Sequence, residues 1–270
     1  MFYKLACNFV KKIDLKYISS TQNPLIKKLS LLMSKSRVRK KEGCLVVAGK
    51  RELNRALEMD YQIVTLFYRE GHEEDSIYKD LGEAFELSAK LFDRISMRSG
   101  SEEIIAILKV KSHTLEELFI SNQDRILVLE APEKPGNIGA LLRTAAAANW
   151  EAVIIANPKT DLYHPQIIRN SMGGVFSIPI AADDSEKVIS FLEKNNFNIT
   201  AAALHNEAKH YKRVKYQRPL ALVFGTEDKG LDPIWFKKVQ QIVKIPVKFP
   251  IDSLNLSVSA GILMYHCGEQ

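Results

Sequence analysis

Three short stretches of this 270-residue chain gather groups that bind anions or orient a proton transfer. The first follows the apolar run "ILVLE" and reads "APEKPGNIGALLRTAAAANW", with Asn137 and Arg143 as its polar centres. A helix that starts just after a strand offers free N–H groups to an anion, and an arginine adds a fork that fits phosphate. A capped helix carrying a surface arginine is the plainer alternative. Gly136-Asn137 is expected to turn the chain, with the Asn137 side chain as cap. In the second, "LALVFGTEDKGLDPIWF", Gly225 and Gly230 bracket Glu227, Asp228 and Lys229, then Asp232 and Pro233 open a helix. Paired glycines let backbone come close to a ligand. The third, "FPIDSLNLSVSAGILMYH", puts Ser253, Asn255, Ser257 and Ser259 at the entrance of an apolar helix. Helix capping accounts for one of these four, not all. A weaker stretch, "HPQIIRNSMGGVFSIPI", carries Arg169 and Ser171 ahead of a Gly-Gly turn into a strand.

Other chemistries lack their spacing. There is no G-x-G-x-x-G, P-loop, H-E-x-x-H or C-x-x-C, so no dinucleotide fingerprint and no metal site is expected. His164, His205, His210 and His266 are scattered and receive no role.

The elements that must position these loops are legible. From Arg125 the apolar strands "ILVLE", "AVIIA", "FSIPI", "NITAAAL", "LALVFG" and "QIVKIP" alternate with helices near 138–148, 165–171, 185–195 and 233–239. Strands apolar throughout, separated by helices, predict a parallel sheet covered on both faces, with ligands at the carboxyl ends of the strands. Residues 1–112 form a smaller α/β domain. It has a basic amphipathic helix over 23–41 with a Leu25, Leu29, Leu32 stripe, and strands "CLVVAG", "QIVTLFY" and "IIAILKV". Residues 113–124 read as a linker with a short helix, and 125–270 as the second domain.

Charge separates the two. The net charge is +6, but residues 1–55 hold fourteen Lys/Arg against Asp14, Glu42 and Glu52, a net +11 that leaves the rest at −5. A basic end facing a polyanion follows, with Lys27, Lys28, Arg37, Arg39, Lys40 and Lys41 as phosphate contacts. A merely solvated basic face stays open. Cys7, Cys44 and Cys267 are far apart, as in a reducing compartment. The start "MFYKLACNFVKK" is broken by Lys4 and Asn8 and makes a poor signal peptide, and no run approaches the roughly 20 apolar residues of a membrane span. A cytoplasmic protein is the expectation.

Taken in order, the loops resemble the three signature motifs of the SpoU/TrmH family of RNA ribose 2′-O-methyltransferases in the SPOUT superfamily. The matching residues are Asn137, Gly139, Arg143 and Thr144; then Gly225, Glu227, Gly230 and Leu231; then Ile245-Pro246 with Ser253 to Val258. Arg169, Ser171 and Gly173 fit a further family pattern, and the likeness covers 125–268. Asp228 departs from it, standing where a small residue is common. "ISSTQNPLIKKL" and "SRVRKKEGCLVVAGKREL" resemble the family's ribosomal-protein-like substrate-binding domain. The resemblance implies an α/β fold whose last segment threads a trefoil knot, a homodimer, and S-adenosylmethionine as methyl donor. It implies a cofactor site at Gly225, Gly230, Leu231, Ile245, Leu254 and Ser257. A catalytic set follows: Arg143, Asn137, Glu227, Ser253 and Asn255, with Glu227 holding Arg143 or substrate, and Arg169 as an RNA contact. Arg143 is read as a clamp on the target phosphate and hydroxyl, or as the base once it meets phosphate. The substrate is expected to be ribosomal rather than transfer RNA. Two other readings are a non-catalytic RNA-binding protein on this fold, and a small-molecule α/β enzyme, which the basic domain does not explain.

Overall fold

The apolar runs become the strands of two separate sheets in the computed structural model, which describes residues 15–72, 78, 81–96 and 102–269. The chain divides into two units, one ending at Leu53 and resuming over Tyr61–Val110, the other made of Asn54–Asp60 and the chain from Lys111. Cys7 and the opening stretch lie outside the described residues.

The chain up to Val110 runs β1 (Lys16–Ile18), α1 (Pro24–Ser34), α2 (Ser36–Glu42), β2 (Cys44–Ala48), α3 (Lys50–Glu58), β3 (Ile63–Arg69), β4 (Glu83–Leu87), α4 (Ala89–Ile95) and β5 (Ile104–Lys109). Its mixed sheet has the order β1-β4-β3-β5-β2. Phe67 faces Phe85 on one side and Ile105 on the other, and all three pack with Leu29, Leu32 and Phe92 in one core. The single helix expected over 23–41 is two. Asn23 caps α1 through its side chain, and the helix buries Ile26, Leu29 and Leu32 before Lys35 turns extended at φ −123°. The break leaves carbonyls at the end of α1 without helical partners. Arg39 of α2 supplies one, donating from Nη1 to Leu32 O at 2.6 Å and Met33 O at 3.3 Å. Arg39 is only 2% exposed. Its expected phosphate contact is therefore wrong: the guanidinium is used inside the fold. Lys27, Arg37, Lys40 and Lys41 are exposed, while Lys28 pairs with Glu42 at 3.2 Å.

The second unit runs β6 (Arg125–Glu130), α5 (Pro135–Ala147), β7 (Ala152–Ala156), α6 (Pro165–Asn170), α7 (Gly174–Ser177), β8 (Ile180–Asp183), α8 (Ser185–Lys194), β9 (Asn198–Ala202), β10 (Lys209–His210), β11 (Leu220–Phe224), α9 (Pro233–Phe236), β12 (Gln241–Lys244) and α10 (Leu256–Gly268). The sheet order is β10-β12-β9-β11-β6-β7-β8, with every pairing parallel. All residues of β6, β7 and β11 are buried, as a sheet covered on both faces requires.

Three expectations change here. "FSIPI" is not a strand from its start: Gly173 at φ +80° restarts a helical turn, and buried Ser171 accepts from Val175 N–H at 3.2 Å, so the strand begins at Ile180. Asn137 does not cap α5, because Pro135 fixes a helical φ and starts the helix two residues earlier, after Lys134. The 113–124 segment is no free linker. It carries a 3₁₀ turn at Leu115–Glu117, Leu115 is buried in the core of the second unit, and Leu118 and Ile120 pack against that core. Cys44 and Cys267 are buried free thiols. Among the described residues no helix is long and apolar enough to cross a membrane, and no His, Cys, Asp and Glu cluster could hold a metal.

Candidate functional site

The site forms where the chain leaves β6, β11 and β12. Val223 and Phe224 of β11 lie in register with Val128 and Leu129 of β6, so the loops after both strands start at the same level. The loop after β11 folds tightly: Thr226 N–H donates to Gly230 O at 2.9 Å, and Gly230 N–H returns to Thr226 O at 3.1 Å. Gly230 takes φ +68° to close this turn. A Cβ on Gly225 would stand 2.1 Å from the Gly230 carbonyl, so only glycine fits there. Gly139 serves helix packing in the same way: its Cβ would lie 2.7 Å from Asn170 Cβ and 2.9 Å from Ile167 O, so α6 rests directly on α5.

Behind this turn lies a cavity of about 620 Å³. Its walls include Leu204, Gly225, Gly230, Leu231, Phe236, Ile245, Ser253, Leu254 and Asn255. Five of the six residues expected to hold a cofactor line it: Gly225, Gly230, Leu231, Ile245 and Leu254. Ser257 does not, because α10 turns it away, and its Oγ sits 3.5 Å from Asn137 O and Oδ1. The volume suits a nucleoside-sized organic molecule. Apolar side chains next to close backbone on three loops form the donor set expected for an adenosine ring and an amino-acid tail, so the residues fit S-adenosylmethionine.

At the rim, Glu227 ties the three loops together. One carboxylate oxygen pairs with the Lys134 ammonium, and the other accepts from Asn137 Nδ2 at 2.7 Å and Asn255 Nδ2 at 3.1 Å. The Lys134 bond, with help from Asn137, holds the Glu227 carboxyl below the usual carboxylate range. The Lys134 ammonium is correspondingly shifted up. Asn255 also caps α10, accepting from Ser257 N–H at 2.9 Å. The same side chain thus starts the helix and holds the carboxylate. A smaller cavity, about 210 Å³, adjoins this cluster and is lined by Lys134, Asn137, Glu227, Asp228 and Leu256.

Arg143 is elsewhere. It is exposed on α5, lines neither cavity, and has no hydrogen bond among the described residues. The expectation that Glu227 holds Arg143 is corrected, since Lys134 and the two asparagines occupy that carboxylate within the chain. Ser253 is on the cavity wall, Arg169 is half-buried on α6, and Ser171 is a buried structural hydroxyl. Sequence reasoning missed Lys134, whose only signal is a cation one residue before the helix-starting proline. It also missed His205, which lines the cavity and stacks on Phe236 with ring centroids 5.1 Å apart.

Comparison with known proteins agrees with this geometry. Residues 124–265 match the SpoU rRNA Methylase family, and residues 23–106 match the MRM3-like substrate binding domain. The 23S rRNA (guanosine(2553)-2′-O)-methyltransferase RlmP of Bacillus subtilis (strain 168) is 26% identical over 255 residues, covering 93% of this chain and 99% of its own. A crystal structure of an RNA 2′-O ribose methyltransferase is 37% identical, with TM-score 0.82, covering 94% of this chain and 98% of that one. The AdoMet-bound rRNA methyltransferase from Sinorhizobium meliloti is 26% identical with TM-score 0.87 over the same shares.

Proposed function

Because the chain belongs to the SpoU rRNA methylase family, we propose that it transfers the methyl group of S-adenosylmethionine to a ribose 2′-hydroxyl of ribosomal RNA. The observation that carries this reading is the coincidence of the family's motif residues with one cavity and its Glu227 rim. When bound, the cofactor supplies an electrophilic sulfonium methyl. Gly225, Gly230, Leu231, Ile245 and Leu254 would hold it, with Ser253 beside them.

The chain's own residues must then align a weak nucleophile. A ribose hydroxyl reacts slowly unless it is held in line, and orientation alone supplies much of the needed acceleration. Glu227, fixed by Lys134, Asn137 and Asn255, makes the rim rigid, which preserves that alignment. A guanidinium is always charged and forks onto phosphate oxygens. Arg143 accordingly clamps the phosphate beside the target ribose and orients its hydroxyl.

Arg143 stands apart from its own chain's rim, which favours a homodimer as the working form. On α10, Val258, Ile262 and Tyr265 stay 51%, 36% and 54% exposed on one face, while Ala260, Leu263, Met264 and Cys267 are buried on the other. A second copy covers the exposed face and brings its cavity to Arg143. The trefoil knot belongs to the same reading: the segment after β12 ends with Asn255 against Asn137 and Glu227, as a threaded chain end would. The enzyme is then a cytoplasmic protein acting on ribosomal RNA.

Calorimetry with S-adenosylmethionine, and methylation of rRNA from a strain lacking the gene, test the reading on wild type and Arg143→Ala. Both proteins should bind the cofactor, and only wild type should methylate. No binding by either would sink the enzyme reading, and equal methylation would sink the role of Arg143.

A further inference from the structure

Between β9 and β11 the chain runs through "KHYKRVKYQR", Lys209 to Arg218, with five cations and no acid. Lys209, Lys212, Arg213, Lys215 and Arg218 are all exposed. None has a carboxylate partner among the described residues, whereas Lys134, Lys187, Lys238 and Arg125 of the same unit do. Five like charges within ten residues repel one another, so the strip costs stability unless an anion meets it.

The strip is also held in place. Val214 and Tyr216 are buried beneath it, and Tyr216 donates from its hydroxyl to Tyr211 O at 3.0 Å. Tyr211 stacks on His210 with centroids 5.2 Å apart, and the edges of Tyr211 and Tyr216 meet His266 of α10 at 5.0 Å and 5.8 Å. Anchored residues point inward and cations outward. The location matters as well: Lys209 and His210 form β10, in register with Val243 and Lys244 of β12, which line the large cavity. The strip therefore starts beside the cavity wall at Lys209 and runs past Gln241, whose Nε2 donates to Lys215 O at 3.2 Å, to Arg218 just before β11, all within the second unit.

We propose that Lys209–Arg218 is a second RNA-binding surface, gripping phosphates of the substrate RNA. This rests on the RNA methyltransferase reading. This strip would add phosphate contacts of its own to those of the basic first domain.

The test uses the full chain with Lys209, Lys212, Arg213, Lys215 and Arg218 each changed to glutamine, beside a Lys187→Gln control whose ammonium is already paired. Binding to rRNA prepared without its methylations is titrated across salt concentrations, and cofactor binding is measured by calorimetry. Each phosphate contact contributes about 0.7–0.9 to the slope of log affinity against log salt. The strip variant should lose two or more such increments, and bind RNA at least ~10-fold more weakly near physiological salt. Its cofactor affinity should match wild type, and Lys187→Gln should behave as wild type throughout. Unchanged RNA affinity and slope in a strip variant that still binds cofactor would overturn the proposal and leave the enzyme reading intact. Failure of wild type to bind cofactor or methylate RNA would instead remove the reading beneath it. A three-residue variant at Lys212, Arg213 and Lys215 serves if the full one does not fold, with the same two outcomes.

Discussion

At the scale of single residues the site depends on Glu227. Its carboxylate takes three donors from three segments, so removing its charge should loosen all three at once. Hydrogen bonds to a charged group are worth about 1.5–3 kcal/mol, so Glu227→Gln should lower kcat by ~10- to 100-fold. Cofactor affinity should change little, because the cavity walls are mainly apolar side chains and backbone; steady-state kinetics with calorimetry will separate the two effects. The sign of the pH effect follows from the lowered folded-state pKa. Below the ordinary value of 4.5 the unfolded chain binds the proton more readily than the folded one, so this contribution is full above 4.5 and fades as pH falls through the folded value. Denaturant titrations between pH 3 and 6 should show a shallower acid loss of stability in Glu227→Gln than in wild type. Identical acid limbs would mean that the Lys134 pairing contributes nothing to the fold.

At the scale of elements, the turn after β11 sets the shape of the cavity. Gly225 faces backbone, not a flexible side-chain tip, so an added methyl must push the Gly230–Leu231 peptide. Overpacking of this kind costs about 1–3 kcal/mol. Gly225→Ala should therefore melt lower and bind S-adenosylmethionine at least ~10-fold more weakly, read by thermal unfolding and calorimetry; wild-type affinity would show that the turn does not shape the cofactor site. Gly225, Gly230 and Glu227 were legible because their types are tied to strand ends, and strands buried on both faces are apolar throughout. The parallel sheet was legible for the same reason. Other elements had weaker signals. The β1 and β10 strands are three and two residues long, too short for any periodicity. The break at Lys35 leaves the apolar stripe almost in phase, so the pattern reads as one helix. "FSIPI" suits a strand by composition, but Ser171 and Gly173 make its start helical. Charge counting placed Arg39 among the phosphate contacts because it counts charge without seeing burial. It also passed over Lys209–Arg218, since a net −5 averaged over the rest of the chain hides five cations in ten residues.

At the scale of the whole molecule the placement of Arg143 makes its own demand. The rim at Glu227 is complete without it, yet the reaction needs a group on the phosphate and the hydroxyl. A helix apolar on all sides is buried on all sides, and α10 leaves Val258, Ile262 and Tyr265 uncovered. In the proposed twofold dimer on this face the same surface of two copies would meet, and each Arg143 would serve the other chain's cavity. This geometry can be read by mixing two inactive chains. Let one carry Arg143→Ala and the other Glu227→Ala, and let them be refolded or co-expressed in equal amounts. In a mixed dimer one site receives intact Glu227 from the first chain and intact Arg143 from the second, while the other site is doubly damaged. With random pairing half of the dimers are mixed, so about a quarter of wild-type methylation should return. If Arg143 instead acts within its own chain, every site in every dimer carries one of the two lesions, and the mixture stays as inactive as its parts. Sequential affinity capture through a different tag on each chain confirms that mixed dimers formed, which makes a null result count against the crossed site and not against the mixing.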